Sequence, residues 1–184
     1  RRPSATVAEY RFLEQRLSSA EAVTISASAT TTVQAGSNAF QGTQLTGVAY
    51  TYQDVYEIAL EEGRYFSEME INASRNLAII GKTIANTLYP NQTAIGKEIK
   101  MKGMKFIVVG IFEEEGEGLF DLPSKDEAAL IPYGAFTKLF YTGRNGIEPT
   151  IAAKGREVDI GLVALENEMT GLLRAKRGLK PVEE

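Results

Sequence analysis

Cysteine and histidine are both absent from this chain of 184 residues. Without cysteine there is no disulfide, no zinc–thiolate site and no thiol nucleophile. Without histidine there is no Ser-His-Asp triad, no common histidine metal site and no group that usually exchanges protons near neutral pH. The lack of cysteine fits a cytosolic or an extracytoplasmic location equally well. The two absences therefore exclude many enzyme chemistries but do not assign a compartment.

Long apolar runs are also missing. The longest, such as Phe106–Val109, fall far below the ~20 residues that span a bilayer. Hydrophobic and charged contents of 43% and 24% are typical of a soluble globular protein, and the net charge of −4 predicts no nucleic-acid partner. The chain opens on Arg1-Arg2-Pro3 without an initiator methionine or a signal sequence. We interpret it as a soluble segment that is part of a longer protein, which can be a membrane protein.

One tripeptide resembles part of a phosphate-binding loop. Gly81-Lys82-Thr83 has the end of that motif, but the loop also needs a glycine five residues before Gly81, and position 76 is Asn. The tripeptide is therefore interpreted as a strand-to-helix turn. No nucleotide, other cofactor or metal ion is predicted.

Hydrophobic periodicity predicts an α+β fold with a helix at each end and strands in the middle. Thr6 to Ser19 reads as a helix in which Thr6 and Glu9 have capping-box spacing. Val158 to Arg177 reads as the closing helix, ended by Gly178, with an apolar stripe of Val158, Leu162, Leu165, Met169 and Leu172. Shorter helices are predicted at Thr83–Tyr89 and after Pro132. Strands are predicted at Ala22–Gln34, Gln44–Tyr52, Asn76–Ile80, Ile95–Met101, Met104–Glu113, Ala128–Ile131 and Thr150–Ala153.

An acidic run and an apolar tip follow one another after the Met104–Glu113 strand. The carboxylates are Glu113, Glu114, Glu115, Glu117 and Asp121. They lack the spacing of a calcium loop, and a solvated loop is favoured over a catalytic carboxylate pair. Leu119, Phe120 and Leu122 either fold back onto the core or contact a partner. These three are the candidate partner-contact residues.

Two further groups of side chains have a structural and a functional interpretation. Tyr50, Tyr52 and Tyr56 would share one face of a strand, where cross-strand packing is favoured over a ligand platform. Lysines cluster on the hairpin around Lys102-Gly103, at Lys97, Lys100, Lys102 and Lys105. They are interpreted as an exposed face that protects a sheet edge, not as a nucleic-acid patch.

Four motifs in order resemble a known family: EIALEEGRYF, LAIIGKTIANTLYP, AIGKEIKMKGMKFIVVGIF and AALIPYGAF. Their order and spacing from about Tyr52 to Phe140 are similar to the MacB-like periplasmic core domain of ABC transporter permeases, of the MacB/FtsX type. In this family the domain lies between the first and second transmembrane helices, outside the bacterial inner membrane. The resemblance implies a porter-like strand-helix subdomain at residues 1–59 and 127–184 and an inserted, smaller mixed α/β lobe at residues 60–126.

The resemblance also implies what the domain does. It is not an enzyme and transfers no catalytic, cofactor-binding or metal-binding residue; the matching positions are the structural residues Gly63, Arg64, Phe66, Gly81, Gly96 and Gly110. ATP hydrolysis would lie in a separate cytoplasmic domain or subunit. Expected partners are that ATPase, a second permease copy, and a periplasmic adaptor, lipoprotein or hydrolase.

The predicted function is to couple cytoplasmic ATP hydrolysis to the handling of a partner or substrate in the periplasm. It requires the two terminal helices to lie side by side, so that a shift at the membrane moves the whole domain. Two alternatives stay open. One is a carboxylate-dependent cell-wall hydrolase that uses the acidic run; the other is a ligand-binding module that uses the Tyr50–Tyr56 face.

Overall fold

The computed structural model describes residues 4–115 and 124–178. Helices and strands are mixed along the chain, which confirms the predicted α+β class. The helices are α1 (Val7–Arg16), α2 (Tyr52–Val55), α3 (Glu68–Asn72), α4 (Lys82–Leu88), α5 (Tyr133–Leu139) and α6 (Val163–Arg177). The strands are β1 (Ala20–Ala35), β2 (Asn38–Val48), β3 (Leu60–Gly63), β4 (Leu77–Ile80), β5 (Glu98–Met101), β6 (Met104–Phe112), β7 (Ala128–Pro132) and β8 (Thr150–Gly155). None of the helices in the described parts is both long and apolar enough to cross a membrane.

Six strands pair in a closed circuit. Their order is β2-β7-β4-β6-β5-β1, and β1 also pairs with β2. The β2–β7 and β4–β6 pairs are parallel and the other pairs of the circuit are antiparallel. β3 adds to β6, and β8 adds to β1. The predicted division at residues 60 and 126 stays a prediction.

The long strand β1 joins the circuit to the terminal helices. Its first part, Ala20 to Ser26, pairs with β8, and its second part, from Ser26 to Ala35, pairs with β2. One continuous strand therefore runs from the layer that contains α1 and α6 into the closed circuit.

The largest apolar cluster packs the circuit strands against α4 and α5. Phe106, Phe136 and Met101 are fully buried in it, and burying a side chain of this size contributes about 1.5–3 kcal/mol. Gly47 of β2 makes room for α5, because a Cβ at that position would lie 2.3 Å from Phe136 Cβ. Two smaller clusters lie elsewhere, one around Phe66 and one between the terminal helices.

Two interpretations of the middle of the chain are wrong. β2 ends at Val48 and Tyr52 begins a helix, so Tyr50, Tyr52 and Tyr56 do not share a strand. β5 lies between β6 and β1, so the lysines of the β5–β6 hairpin do not protect a free sheet edge. In both cases the local pattern was compatible with the prediction, and the long-range pairing decided otherwise.

Candidate functional site

Helices α1 and α6 pack side by side at the two ends of the described chain. Leu13 of α1, Leu17 directly after α1 and Leu165 of α6 are buried in one apolar cluster with Val23 of β1. Glu9, in the first turn of α1, contacts Arg177, in the last turn of α6, so the helices run antiparallel. The prediction of adjacent terminal helices is confirmed. We refer to α1, α6 and their contacts as the terminal joint.

A buried ion pair joins the helices where the chain enters α1 and leaves α6. Arg177 donates from Nε to Glu9 Oε1 at 2.5 Å and from Nη2 to Oε2 at 3.1 Å. Glu9 is only 6% exposed. The same carboxylate accepts from Thr6 N–H at 3.1 Å, while Thr6 Oγ1 accepts from Glu9 N–H at 3.1 Å. Glu9 therefore completes the predicted capping box and ties α1 to α6 at once.

The electrostatics of this pair favour the charged forms. The hydrogen bond from Arg177 lowers the pKa of Glu9, against a smaller opposing effect of burial and with further help from the Thr6 N–H. The carboxylate in turn raises the pKa of Arg177. Since each partner stabilises the charge of the other, the pair stays ionised across the physiological range.

The opposite end of the terminal joint is held by polar contacts to the segment between α1 and β1. Ser18 donates to Glu168 from its backbone N–H and, at 2.9 Å, from its hydroxyl. Arg156 donates to the Ser18 carbonyl from Nε and Nη2 at 3.1 and 3.0 Å. The backbone hydrogen bond from Ser18 lowers the pKa of Glu168. The terminal joint is thus fastened at both ends, with apolar packing between them.

The closing helix starts later than predicted. Gly161 and Leu162 have φ angles of +77° and +56°, a left-handed conformation that interrupts a helix. The Asp159 carboxylate accepts from Ala164 and Leu165 N–H at 3.0 and 2.9 Å and so caps the first turn of α6. Val158 is 88% exposed, so its placement on the apolar stripe was wrong. Gly178, with φ +69°, ends the helix as predicted.

Four of the six structural residues meet where β3 joins β6. Gly63 pairs with Gly110, and a Cβ on Gly63 would lie 2.0 Å from Val109 O. Arg64 forms a two-pronged ion pair with Glu70 at 2.7 and 3.1 Å, which lowers the pKa of Glu70 to about 2, with help from the Ser67 N–H. Phe66 is 1% exposed. These residues shape the backbone and pack the core of this corner.

Gly81 and Gly96 lie apart from that corner. Gly81 precedes α4, and a Cβ there would lie 2.2 Å from the carbonyl oxygens of Lys125 and Asp126. Gly96 has φ +77°, and no atom lies within 4 Å of the position that a Cβ would take. The two glycines therefore serve different needs: a close approach of the backbone at Gly81, and a turn conformation at Gly96.

The acidic run is only partly described. Glu115 accepts from Lys125 N–H at 3.0 Å and lies 3.6 Å from its ammonium. In the described parts of the chain, no three carboxylates come together in a group that could hold a metal ion. Glu117 and Asp121 lie outside the described residues, as do the candidate partner contacts Leu119, Phe120 and Leu122.

The tyrosines form ring contacts from a helix and turns. The Tyr52 and Tyr56 rings lie 4.6 Å apart, and Tyr50 lies 6.4 Å from Tyr65. Tyr65 donates its hydroxyl to the Ala49 carbonyl at 2.8 Å, and burial raises its pKa. A cavity of about 230 Å³ beside Tyr52 and Tyr56 also contacts Phe112, Leu130 and Lys125.

Sequence reasoning missed the central contact of the terminal joint. It identified Glu9 as a capping residue and Arg177 as the last residue of the closing helix, but it did not pair them. The two residues are separated by 168 positions, and no pattern in the sequence around either residue indicates the other as its partner. The prediction that the terminal helices are adjacent was the only indication that such a pair could form.

The sequence and the fold of this chain both match one family of known proteins. Residues 1–165 match the sequence profile described as the MacB-like periplasmic core domain. The chain belongs to this family. The solved periplasmic region of MacB from Actinobacillus actinomycetemcomitans has a TM-score of 0.78 at 20% identity, over 97% of this chain and 77% of that one. The extracellular domain of YknZ from Gram-positive bacteria has a TM-score of 0.77 at 21% identity, over 96% and 86%. At these identities the two structures show a shared fold.

Curated relatives are transport proteins. MacB of Bdellovibrio bacteriovorus, described as a macrolide export ATP-binding/permease protein, is 34% identical over 132 residues, which is 68% of this chain and 20% of that protein. YvrN of Bacillus subtilis, an uncharacterized ABC transporter permease, is 34% identical over 91 residues, 48% of this chain and 22% of that protein. The chain spans about a fifth of the length of these relatives.

Proposed function

We propose that this chain is the extracytoplasmic domain of a bacterial ABC transporter permease, and that it couples cytoplasmic ATP hydrolysis to the handling of a partner or substrate outside the membrane. The family membership supports the class of protein. Relatives described as ATP-binding/permease proteins support an ATPase partner, either fused or separate. A second permease copy and a periplasmic adaptor, lipoprotein or hydrolase complete the proposed assembly.

The terminal joint is the observation that carries this proposal. In the proposed protein, α1 follows one membrane helix and α6 leads into the next. Because Glu9 and Arg177 join these helices at their membrane-side ends, the two membrane helices enter the domain at one place. Close-packed interiors resist deformation, so movement of this pair is passed to β1 and from there to the strand circuit. The domain performs no chemistry; it moves as a body.

Location is tested by single-cysteine labelling of the full-length gene product, from which any other cysteine has been removed. Val158 is 88% exposed, so Val158→Cys is expected to react in intact cells with a maleimide that does not cross membranes. Leu165→Cys, at a buried position, is the matched control and should react only after denaturation. Labelling of Val158→Cys only after the cells are lysed would contradict an extracytoplasmic location.

Coupling is tested by locking the terminal joint. Ser18 and Glu168 are hydrogen-bonded across it, so Ser18→Cys/Glu168→Cys should be joined by a short bifunctional maleimide. If the helices move as one unit, cross-linking is equally efficient with and without a non-hydrolysable ATP analogue, and the locked protein keeps its rate of ATP hydrolysis. Either single-cysteine variant is the control. Cross-linking that changes with nucleotide would mean that the helices slide against each other, which contradicts transmission through a rigid joint.

A further inference from the structure

Two lysines face each other on the outside of the strand circuit. Lys100 of β5 pairs directly with Lys105 of β6, and Lys100 also pairs with Gln34 of β1, which pairs with Ala39 of β2. All four residues are exposed. We call Ala39, Gln34, Lys100 and Lys105 the lysine row. It crosses four neighbouring strands and contains no acidic side chain.

This arrangement is unfavourable for the isolated domain. Directly opposed residues of an antiparallel pair have Cβ atoms about 4.5–5.5 Å apart, and like charges at such positions destabilise a sheet. Lysines on an edge strand are explained by protection against aggregation, but β5 is paired on both sides. Protection of a sheet edge therefore does not explain these lysines.

Within the described parts of the chain, little neutralises the positive charges of Lys100 and Lys105. Lys105 lies 3.5 Å from Glu98, with side-chain exposures of 68% and 45%, and a pair this exposed contributes little. Lys100 forms no ion pair with a described residue. Lys102 donates to the Leu139 carbonyl at 2.9 Å and lies over the Phe140 ring. Its ammonium group therefore lies against the C-terminal end of α5. From Glu98 to Phe112 the β5–β6 hairpin has three lysines and one glutamate, in a chain whose net charge is −4.

We propose that the lysine row binds an acidic segment of a partner protein. Complementary charge on the partner would turn the Lys100–Lys105 repulsion into attraction. Ile107 lies two residues beyond Lys105 on the same face of β6 and is 41% exposed. It pairs with Glu98 of β5, so the row adjoins one apolar side chain and one carboxylate. A cationic row beside an apolar contact fits a peptide that carries both carboxylates and apolar side chains, more than it fits a free phosphate or a purely polar anionic polymer.

The binding test uses the 184-residue chain and a fluorescein-labelled peptide of alternating glutamate and valine, followed by fluorescence anisotropy. Binding is expected at low salt and should weaken at high salt because exposed charges are screened. Lys100→Gln/Lys105→Gln is expected to weaken binding by roughly fivefold, from two exposed ion pairs. Lys97→Gln/Lys154→Gln changes the net charge equally outside the row and should bind as the unsubstituted protein does.

Each other outcome overturns the proposal. Equal weakening by both double variants would show a general charge effect, and unchanged binding by the lysine-row variant would place the contact elsewhere. Binding to vesicles that contain phosphatidylglycerol, lost in the lysine-row variant while the peptide does not bind, would assign the row to a membrane surface. A lysine-row variant that unfolds at lower denaturant than the unsubstituted protein would give the lysines a structural role. The assay needs neither membrane nor ATPase, so its result is independent of the coupling experiment.

Discussion

Replacing Gly63 with alanine is expected to lower the free energy of unfolding by about 3 kcal/mol or more. The left-handed conformation at this residue, with φ +77°, costs an alanine about 1–2 kcal/mol, and its Cβ would lie 2.0 Å from the Val109 carbonyl oxygen. Relief of that overlap requires β3 to move away from β6, which adds about 1–3 kcal/mol for overpacking. Urea denaturation followed by circular dichroism measures the change.

Gly96 provides a matched control for Gly63. It has the same φ of +77°, but no atom lies within 4 Å of its virtual Cβ. Gly96→Ala therefore carries the conformational cost alone, about 1–2 kcal/mol. The difference between the two variants isolates the steric overlap at the β3–β6 corner. Equal losses in both would mean that β3 is not held against β6 as described.

Replacing Glu9 with alanine is expected to lower the free energy of unfolding by about 3 kcal/mol. The substitution removes a helix cap, which contributes about 1 kcal/mol, and leaves Arg177 without its carboxylate partner. Breaking a fully buried pair costs about 3–5 kcal/mol, but Arg177 retains 22% side-chain exposure, which reduces that cost. Urea denaturation of the 184-residue chain measures the loss.

Glu70 is the matched control for Glu9. It completes a capping box with Ser67 and accepts a two-pronged ion pair from Arg64, so the chemistry is the same. Arg64 is 56% exposed, however, and Glu70 belongs to a helix of five residues. We expect Glu70→Ala to cost about 1 kcal/mol, mainly for the cap. If Glu70→Ala costs as much as Glu9→Ala, burial does not strengthen the terminal ion pair.

The Glu9–Arg177 pair also predicts a pH dependence. The folded state lowers the pKa of Glu9 below its ordinary value of 4.5. Its contribution to stability is therefore complete above pH 4.5 and is lost as the pH falls through the lowered value. Glu9→Gln should lose less stability than the unsubstituted protein over this acid range. Because Glu70 titrates in both proteins, the difference between their curves reports Glu9. Parallel curves would contradict the assigned shift.

The lysine row and the terminal joint represent two separate requirements of the proposed protein. The terminal joint needs rigidity, which buried apolar contacts and a desolvated ion pair provide. The lysine row needs accessibility, and its charges face solvent and repel each other. A domain that is moved at one end and binds a partner at another would have these two properties in different places. Here the terminal joint lies at one end of β1 and the lysine row at the other, where Gln34 belongs to the row.

Local features were determined by the sequence alone. The Thr6–Glu9 capping box, the left-handed end of α6 at Gly178, and the hairpin around Lys102-Gly103 each depend on residues within a few positions. The longer helices and strands followed from their hydrophobic periodicity, whereas the short elements α2, β3 and α3 were not predicted. The ordered motifs alone indicated the family. Capping and period act through neighbouring backbone groups, so a short stretch of chain contains all the information they need.

Only the tertiary structure decided the long-range relations. Arg177 binds Glu9 although 168 positions separate them. β5 lies between β6 and β1 instead of at a sheet edge. The segment that contains Tyr52 forms a helix after β2 ends at Val48. Each of these relations depends on which surfaces meet when the whole chain packs. The packing is set by the burial and strand pairing of many distant segments together, so no single segment predicts it. The terminal joint and the lysine row both arise at this level, because each consists of residues that have no local reason to be together.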